Sequence, residues 1–150
     1  MTVSVEAIGA LLCEAAQALD LTAVVQHDGG EWDVVFADER IVDVTWLADT
    51  GVLGFETALG VPETSDLLAL RTMLLEYNYL WRETGGLRMA LDRPDGCVHL
   101  GFSLGASVAD VALMINVLGN FHAAANAWGE RLQKPNALPV EGMMQGFLRV

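Results

Sequence analysis

Between residues 31 and 60 the chain exchanges apolar and polar side chains every second residue, and short turn-forming clusters interrupt it at regular intervals. Trp32, Val34 and Phe36 fall on one face and Asp33 and Val35 on the other; Val42, Val44 and Trp46 oppose Asp43 and Thr45; Leu53, Phe55, Thr57 and Leu59 share a face of the last run. A period of two is that of a β-strand, whose side chains point alternately to opposite faces. Asp28-Gly29-Gly30, Asp38-Glu39 and Asp49-Thr50-Gly51 are turn signals. With the β-branched run Leu21–His27 in front, this region predicts four short strands in an antiparallel meander with one face buried.

The flanking segments change to a helical period. Ser4 is a suitable cap for a helix over 4–19, with Glu6 in the first turn and Val5, Ile8, Leu12, Ala15 and Leu19 on one stripe. After Gly60-Val61-Pro62, Thr64 or Ser65 can cap a helix running to about Trp81. Its apolar positions (Leu67, Leu68, Leu70, Met73, Leu74, Leu75, Tyr77 and Leu80) are too many for one stripe, which predicts burial on two sides. Residues 87–104 form a hairpin about the type I turn Arg93-Pro94-Asp95-Gly96. Ser107 and Asp110 resemble a capping box opening a long helix to about Leu132, which Lys134-Pro135 stops. The fold class is α+β: helix, antiparallel strand meander, helix, β-hairpin and long helix, with a twisted antiparallel sheet packed with helices. Residues 1–132 are expected to form a single domain. Residues 133–150 form a C-terminal tail whose Met143, Met144, Phe147 and Leu148 suit local docking.

Charge narrows the function. The 150 residues carry 20 acids against 8 Lys and Arg, a net charge of −12, although 53% are hydrophobic. Residues 1–70 hold 13 of the acids and a single base, Arg40, while residues 71–150 balance seven of each. Such acidity excludes a phosphate-binding nucleic-acid module. No run reaches 18 uninterrupted apolar residues, so no membrane insertion is expected, and the N-terminus lacks the basic start of a secretory signal. A bacterial cytoplasmic location with reduced thiols follows as an expectation, since Cys13 and Cys97 are too few for a disulfide framework.

The search for catalytic chemistry is mostly negative. Phosphate-loop, dinucleotide, zinc-protease and Cys-x-x-Cys motifs are all absent. Cys97 and His99 share a strand face, but no further ligand accompanies them. Cys13 suits a helix packing position, His122 a packing or interface position, and His27 a turn. The acids Glu31, Asp33, Asp38, Glu39 and Asp43 lack EF-hand spacing and suit a solvated face. No catalytic residue, metal or cofactor is expected. The informative positions are apolar residues in the wrong phase. Val25, Val35, Ile41 and Leu47 fall opposite the core set, beside Asp33, Asp43, Thr45 and Glu56, and Leu11 flanks the first helix stripe. They suit either an extended peptide partner or coverage by the chain's own helices.

The arrangement resembles the class I chaperones of type III secretion, the Tir chaperone or CesT family, over roughly residues 4–132. The resemblance rests on the small acidic chain, the element order, the segment Val52–Gly60 before the second helix, and Leu74-Leu75-Glu76-Tyr77-Asn78, similar to the family's leucine–leucine–x–x–asparagine run. The hairpin Leu87–Leu104 and a last helix ending near Ala125–Trp128 add to it. The resemblance implies a cytoplasmic homodimer without enzymatic activity. It would bind the N-terminal segment of a secreted effector in extended form, keep it secretion-competent, and deliver it to the export ATPase. Leu70, Leu74, Tyr77, Asn78 and Trp81 become dimer-interface candidates; Leu11, Val25, Val35, Ile41, Asp33 and Asp43 become effector-contact candidates. Two other classes compete: a small-molecule-binding or enzymatic α+β domain using Cys97, His99 or His122, and a dimeric adaptor for a folded partner.

Overall fold

A computed structural model describes residues 3–94 and 96–134. The elements run α1 (Val5–Ala18), β1 (Ala23–His27), β2 (Glu31–Val35), β3 (Ile41–Leu47), β4 (Val52–Gly60), α2 (Leu67–Tyr79), β5 (Arg88–Leu91), β6 (Val98–Gly105), a single 3₁₀ turn (Ala106–Val108) and α3 (Val111–Leu132). The strands follow the order β1-β2-β3-β4-β6-β5 in one six-stranded sheet, so β1 and β5 are its edges. The expected α+β fold and element order are observed. The tail from residue 135 on, with Met143, Met144, Phe147 and Leu148, lies outside the described residues.

The chain divides into two compact units. Among the described residues the first comprises 3–57 and 103–119, the second 58–94, 96–102 and 120–134. The first unit holds 12 acids and one base, a charge of −11; the second holds six of each, a charge of zero. The acidity noted along the chain is thus almost wholly a property of one unit.

In the first unit, α1 starts at Ser4, whose hydroxyl accepts from the Ala7 N–H at 3.1 Å. That satisfies one of the helix's free N-terminal donors. Ile8, Leu12 and Ala15 are its buried residues. A Cβ at Gly9 would lie 3.5 Å from the Trp32 indole nitrogen, an ordinary contact distance, which places this face of α1 against β2. The strands pair antiparallel, with Val34 opposite Val42, Trp32 opposite Val44 and Val44 opposite Phe55. Trp32, Val34, Phe36, Val42, Val44, Leu53 and Phe55 are buried as the alternation predicts. Each large aliphatic or aromatic side chain removed from water contributes roughly 1.5–3 kcal/mol. Trp46, expected in that set, is half-buried. It lies at the sheet's end against Gly30, whose φ of +85° closes the β1–β2 turn. Thr57 is buried and polar; its hydroxyl donates to the Ile41 carbonyl at 2.7 Å and accepts from Arg40 Nη1 at 3.3 Å.

In the second unit, α2 is capped by Asp66, whose carboxylate accepts from the Ala69 N–H at 3.0 Å. Thr64, an expected cap, instead accepts from the Asp66 N–H one turn earlier. The helix closes at Tyr79, two residues before the expected end, where the Leu80 N–H bonds to the Glu76 and Tyr77 carbonyls. Leu70, Met73, Leu74 and Tyr77 form its buried side. Tyr77 meets Trp128 edge-on, ring centroids 5.2 Å apart at 81°, a favoured aromatic geometry. The β5–β6 turn closes through the Gly96 N–H to the Arg93 carbonyl at 3.0 Å, with Asp92 accepting from the Cys97 N–H at 2.9 Å. The C-terminal part of α3 buries Phe121, Ala124, Ala125, Trp128 and Leu132. At the other end of α3, Asp110 is the residue that caps, accepting from the Leu113 N–H at 2.8 Å. Ser107 belongs to the preceding 3₁₀ turn, so the expected capping box does not form. Among the described residues no helix is long and apolar enough to cross a membrane.

Candidate functional site

Because alternate residues of a strand share a face, the register of the first unit arranges its outer sheet face in rows. Ala23, Val35 and Ile41 stand opposite one another across β1, β2 and β3, forming an apolar row. Two residues along each strand, Val25, Asp33, Asp43 and Glu56 form a second row across β1 to β4, mostly acidic. A third holds His27, Glu31, Thr45 and Gly54. Val25 and Ile41 are 45% and 47% exposed, and Val35 is half-buried. Five of the six candidates for partner contact (Val25, Asp33, Val35, Ile41 and Asp43) therefore come together on one face, beside the edge strand β1. Leu11 does not join them. It sits half-buried on α1, the helix packed against Trp32 on the opposite face.

The acidic row has its own electrostatics. His27 Nε2 lies 2.9 Å from Asp33 Oδ2. This bond and the adjacent negative charge raise the His27 pKa above its usual 6.5, and the same bond lowers that of Asp33. Partial burial and the facing Asp33 carboxylate push Asp43 up. Two carboxylates directly opposite on neighbouring strands repel, and among the described residues no Lys or Arg pairs with either of them.

On α2 most of the expected interface residues are buried within the chain itself. Leu70, Leu74 and Tyr77 are 1%, 5% and 0% exposed. They occupy the stripe that meets the chain's own packed side chains, Trp128 among them. Asn78 is engaged as well: its amide donates to the Met89 carbonyl and its oxygen accepts from the Met89 N–H, both at 2.8 Å. Of the five interface candidates only Trp81 is exposed, with the Arg82 guanidinium 4.6 Å above its ring. The outward apolar stripe consists of Leu68, Leu75 and Tyr79, at 77%, 71% and 84% exposure. Their spacing of seven and four residues keeps them on one helix face. The second apolar side seen in the sequence is real, but it belongs to these residues.

The groups considered for catalysis are dispersed. The Cys97 thiol donates to the adjacent Val98 carbonyl at 3.4 Å. His99 Nε2 stands 3.9 Å from Asp92, and His122 Nε2 is 3.2 Å from the Asn126 amide one helical turn away. Cys13, expected as a buried small residue on the first helix, is instead exposed on α1. Among the described residues no three His, Cys, Asp or Glu side chains are grouped so as to hold a metal ion. A groove of about 250 Å³ in the second unit is lined by Val61, Pro62, Leu67, Leu70, Leu91 and Pro94, with the Thr64 and Ser65 hydroxyls. None of the described residues lining it is titratable, so it offers no acid or base to activate the Thr64 or Ser65 hydroxyl.

Residues 10–129 match the profile of the Tir chaperone protein (CesT) family. No curated protein is significantly similar in sequence. Among solved structures, a chain of the ExsC–ExsE complex is similar with a TM-score of 0.75 at 20% identity, covering 89% of this chain and 98% of that one. A chain of the HopA1–SchA chaperone–effector complex gives 0.64 at 15% identity, covering 82% and 93%. A chain of the complex between the Yersinia pestis type III secretion chaperone SycH and a stable fragment of YscM2 gives 0.59 at 22% identity, covering 79% and 96%. At these identities the likeness is one of fold.

Proposed function

The chain belongs to the Tir chaperone protein (CesT) family, and from that premise we propose that it is a type III secretion chaperone. It holds the N-terminal segment of a secreted effector in extended form and keeps it soluble and competent for export. The observation that carries this reading is the outer face of the β1–β4 meander. Val25 and Ile41 are nearly half exposed there, with Val35 between their strands, and the face adjoins β1, an edge of the sheet. An edge strand offers unpaired backbone groups to which an extended segment can add, while the neighbouring apolar side chains receive its own. The protein acts by binding rather than turnover; Cys97 and His122, two of the groups considered for catalysis, are each bonded to a local partner. Its place is the bacterial cytoplasm, where the effector is made.

The working unit is a homodimer. Leu68, Leu75 and Tyr79 form an exposed apolar stripe on α2, with Trp81 just beyond the helix. A stripe of this kind is self-complementary about a two-fold axis, because the same residues meet from both copies.

The test is isolation of the complex from its native cells, followed by limited proteolysis and mass spectrometry of the protected fragments. A protected stretch near the N-terminus of one large secreted protein is expected. Protection of a compact folded domain would instead favour an adaptor, and absence of any protected partner would remove the chaperone reading.

A further inference from the structure

We propose that the partner segment lying on the outer face of β1–β3 alternates apolar residues with arginines, its apolar side chains resting on the Ala23–Val35–Ile41 row and its guanidinium groups on Asp33 and Asp43. This deepens the chaperone reading and rests on it: that reading supplies an extended segment, and the surface specifies its chemistry. Two independent features of the face carry the inference. The first is the apolar row, set in register across three strands and exposed at Ile41. The second is the acidic row beside it, within a unit whose charge is −11.

The two rows are two residues apart along each strand, roughly 7 Å, and neighbouring strands are about 4.8 Å apart. Crossing three strands therefore spans about 10 Å, which an extended chain covers in about three to four residues at about 3.3 Å each. Such a chain presents successive side chains to opposite sides. A stretch of the segment other than one that pairs with the edge of β1, laid across the strands between the rows, sends one set over Val35 and Ile41 and the alternate set over Asp33 and Asp43. A segment with polar neutral residues in the second set would cover two carboxylates without compensating them, at a desolvation cost. One with glutamates would add to a repulsion already present between Asp33 and Asp43. Arginine answers both, because its planar fork pairs with carboxylates through charge-assisted hydrogen bonds and its stem covers apolar surface. His27 now occupies one oxygen of Asp33, and an incoming guanidinium would take the place of this exposed imidazole.

The probes are three fluorescein-labelled octapeptides alternating valine with arginine, glutamine or glutamate. Each is titrated against the full chain by anisotropy at low and high salt, with ¹⁵N chemical shifts mapping the contact. The valine–arginine peptide should bind about tenfold or more tighter than the valine–glutamine peptide, lose affinity in salt, and shift the amides of residues 33–43. The double variant Asp33→Asn/Asp43→Asn should lose about tenfold. Asp20→Asn/Asp49→Asn, the same change in net charge at two exposed positions away from the rows, should stay within about twofold. Equal binding of the arginine and glutamine peptides, or equal losses in the two double variants, would overturn the proposal. The effector segment mapped in native complexes separates this inference from the reading beneath it. If that segment binds Asp33→Asn/Asp43→Asn with unchanged affinity, the arginine inference fails and the chaperone reading stands; if no segment is protected at all, both fail.

Discussion

Replacing Asn78 tests the join between α2 and β5. The amide of Asn78 makes two hydrogen bonds of 2.8 Å, to the Met89 carbonyl and from the Met89 N–H. In an antiparallel strand the N–H and C=O of one residue point to the same side, so Asn78 takes both outward groups of Met89 on an edge strand. A neutral hydrogen bond contributes about 0.5–1.5 kcal/mol net, and a stranded partner costs about 1–3 kcal/mol. Asn78 is half-buried, so water reaches part of the space that Asn78→Ala opens. The expected loss is about 2 kcal/mol, read from urea unfolding monitored by tryptophan fluorescence. Asn78→Asp keeps one bond but sets a carboxylate against the Met89 carbonyl, and should cost at least as much. The measurement is made at two protein concentrations, because the apparent stability of a dimer depends on concentration. A join within the protomer gives the same loss at both. A change below about 0.5 kcal/mol, the size of an ordinary surface substitution, would refute this account. So would a loss that disappears at the higher concentration, which would return Asn78 to a contact between protomers.

Further outcomes are expected elsewhere. The Tyr77 hydroxyl is buried near the Trp128 indole and the Thr84 hydroxyl without a well-formed hydrogen bond to either, so Tyr77→Phe should change stability by no more than about 1 kcal/mol; a larger loss in urea unfolding would count against this. Leu75→Asp or Tyr79→Asp should give folded monomers by light scattering. Leu74→Asp should instead unfold the protein, because it places a charge in the protomer's core; a dimer unaffected by the first two changes would exclude the outward stripe as interface. His27 should titrate by NMR with a midpoint above 6.5 that falls towards 6.5 in Asp33→Asn. Its bond to Asp33 favours the folded state below the unfolded pKa of His, and that contribution is lost as pH rises through the raised folded value.

The parts of the fold that could be read from sequence are those decided locally. The meander is legible because Trp32, Val34, Val42, Val44, Leu53 and Phe55 keep a strict period of two, with glycine turns at Gly29, Gly30 and Gly51 that adopt positive φ. The gathering of Val25, Asp33, Val35, Ile41 and Asp43 on one face follows from the same period. Their order in rows does not, because it depends on register between strands. The face of α2 was not legible. Leu70, Leu74 and Tyr77 form one apolar stripe and Leu68, Leu75 and Tyr79 another, and periodicity is equally satisfied with either inward. Packing beyond the helix, such as Trp128 against Tyr77, decides between them. The role of Asn78 is hidden for a similar reason: a side chain bonded to backbone 11 residues away leaves no local trace, and the family resemblance alone points it to the interface. At α3, Ser107 and Asp110 are both good caps by composition, and the intervening 3₁₀ turn selects Asp110.

The bond pair at Met89 also gives the sheet a direction of growth. Stacking copies edge to edge into a ribbon requires two receptive edges, one to offer and one to accept. With the outward groups of Met89 already occupied by Asn78, β5 is blunted near its middle while β1 remains open. Copies of the chain are thereby hindered from stacking β5 onto β1 into a continuous ribbon, while β1 can still take an incoming strand. For a protein that must stay dispersed while exposing an edge to an unfolded client, that asymmetry separates capture from aggregation.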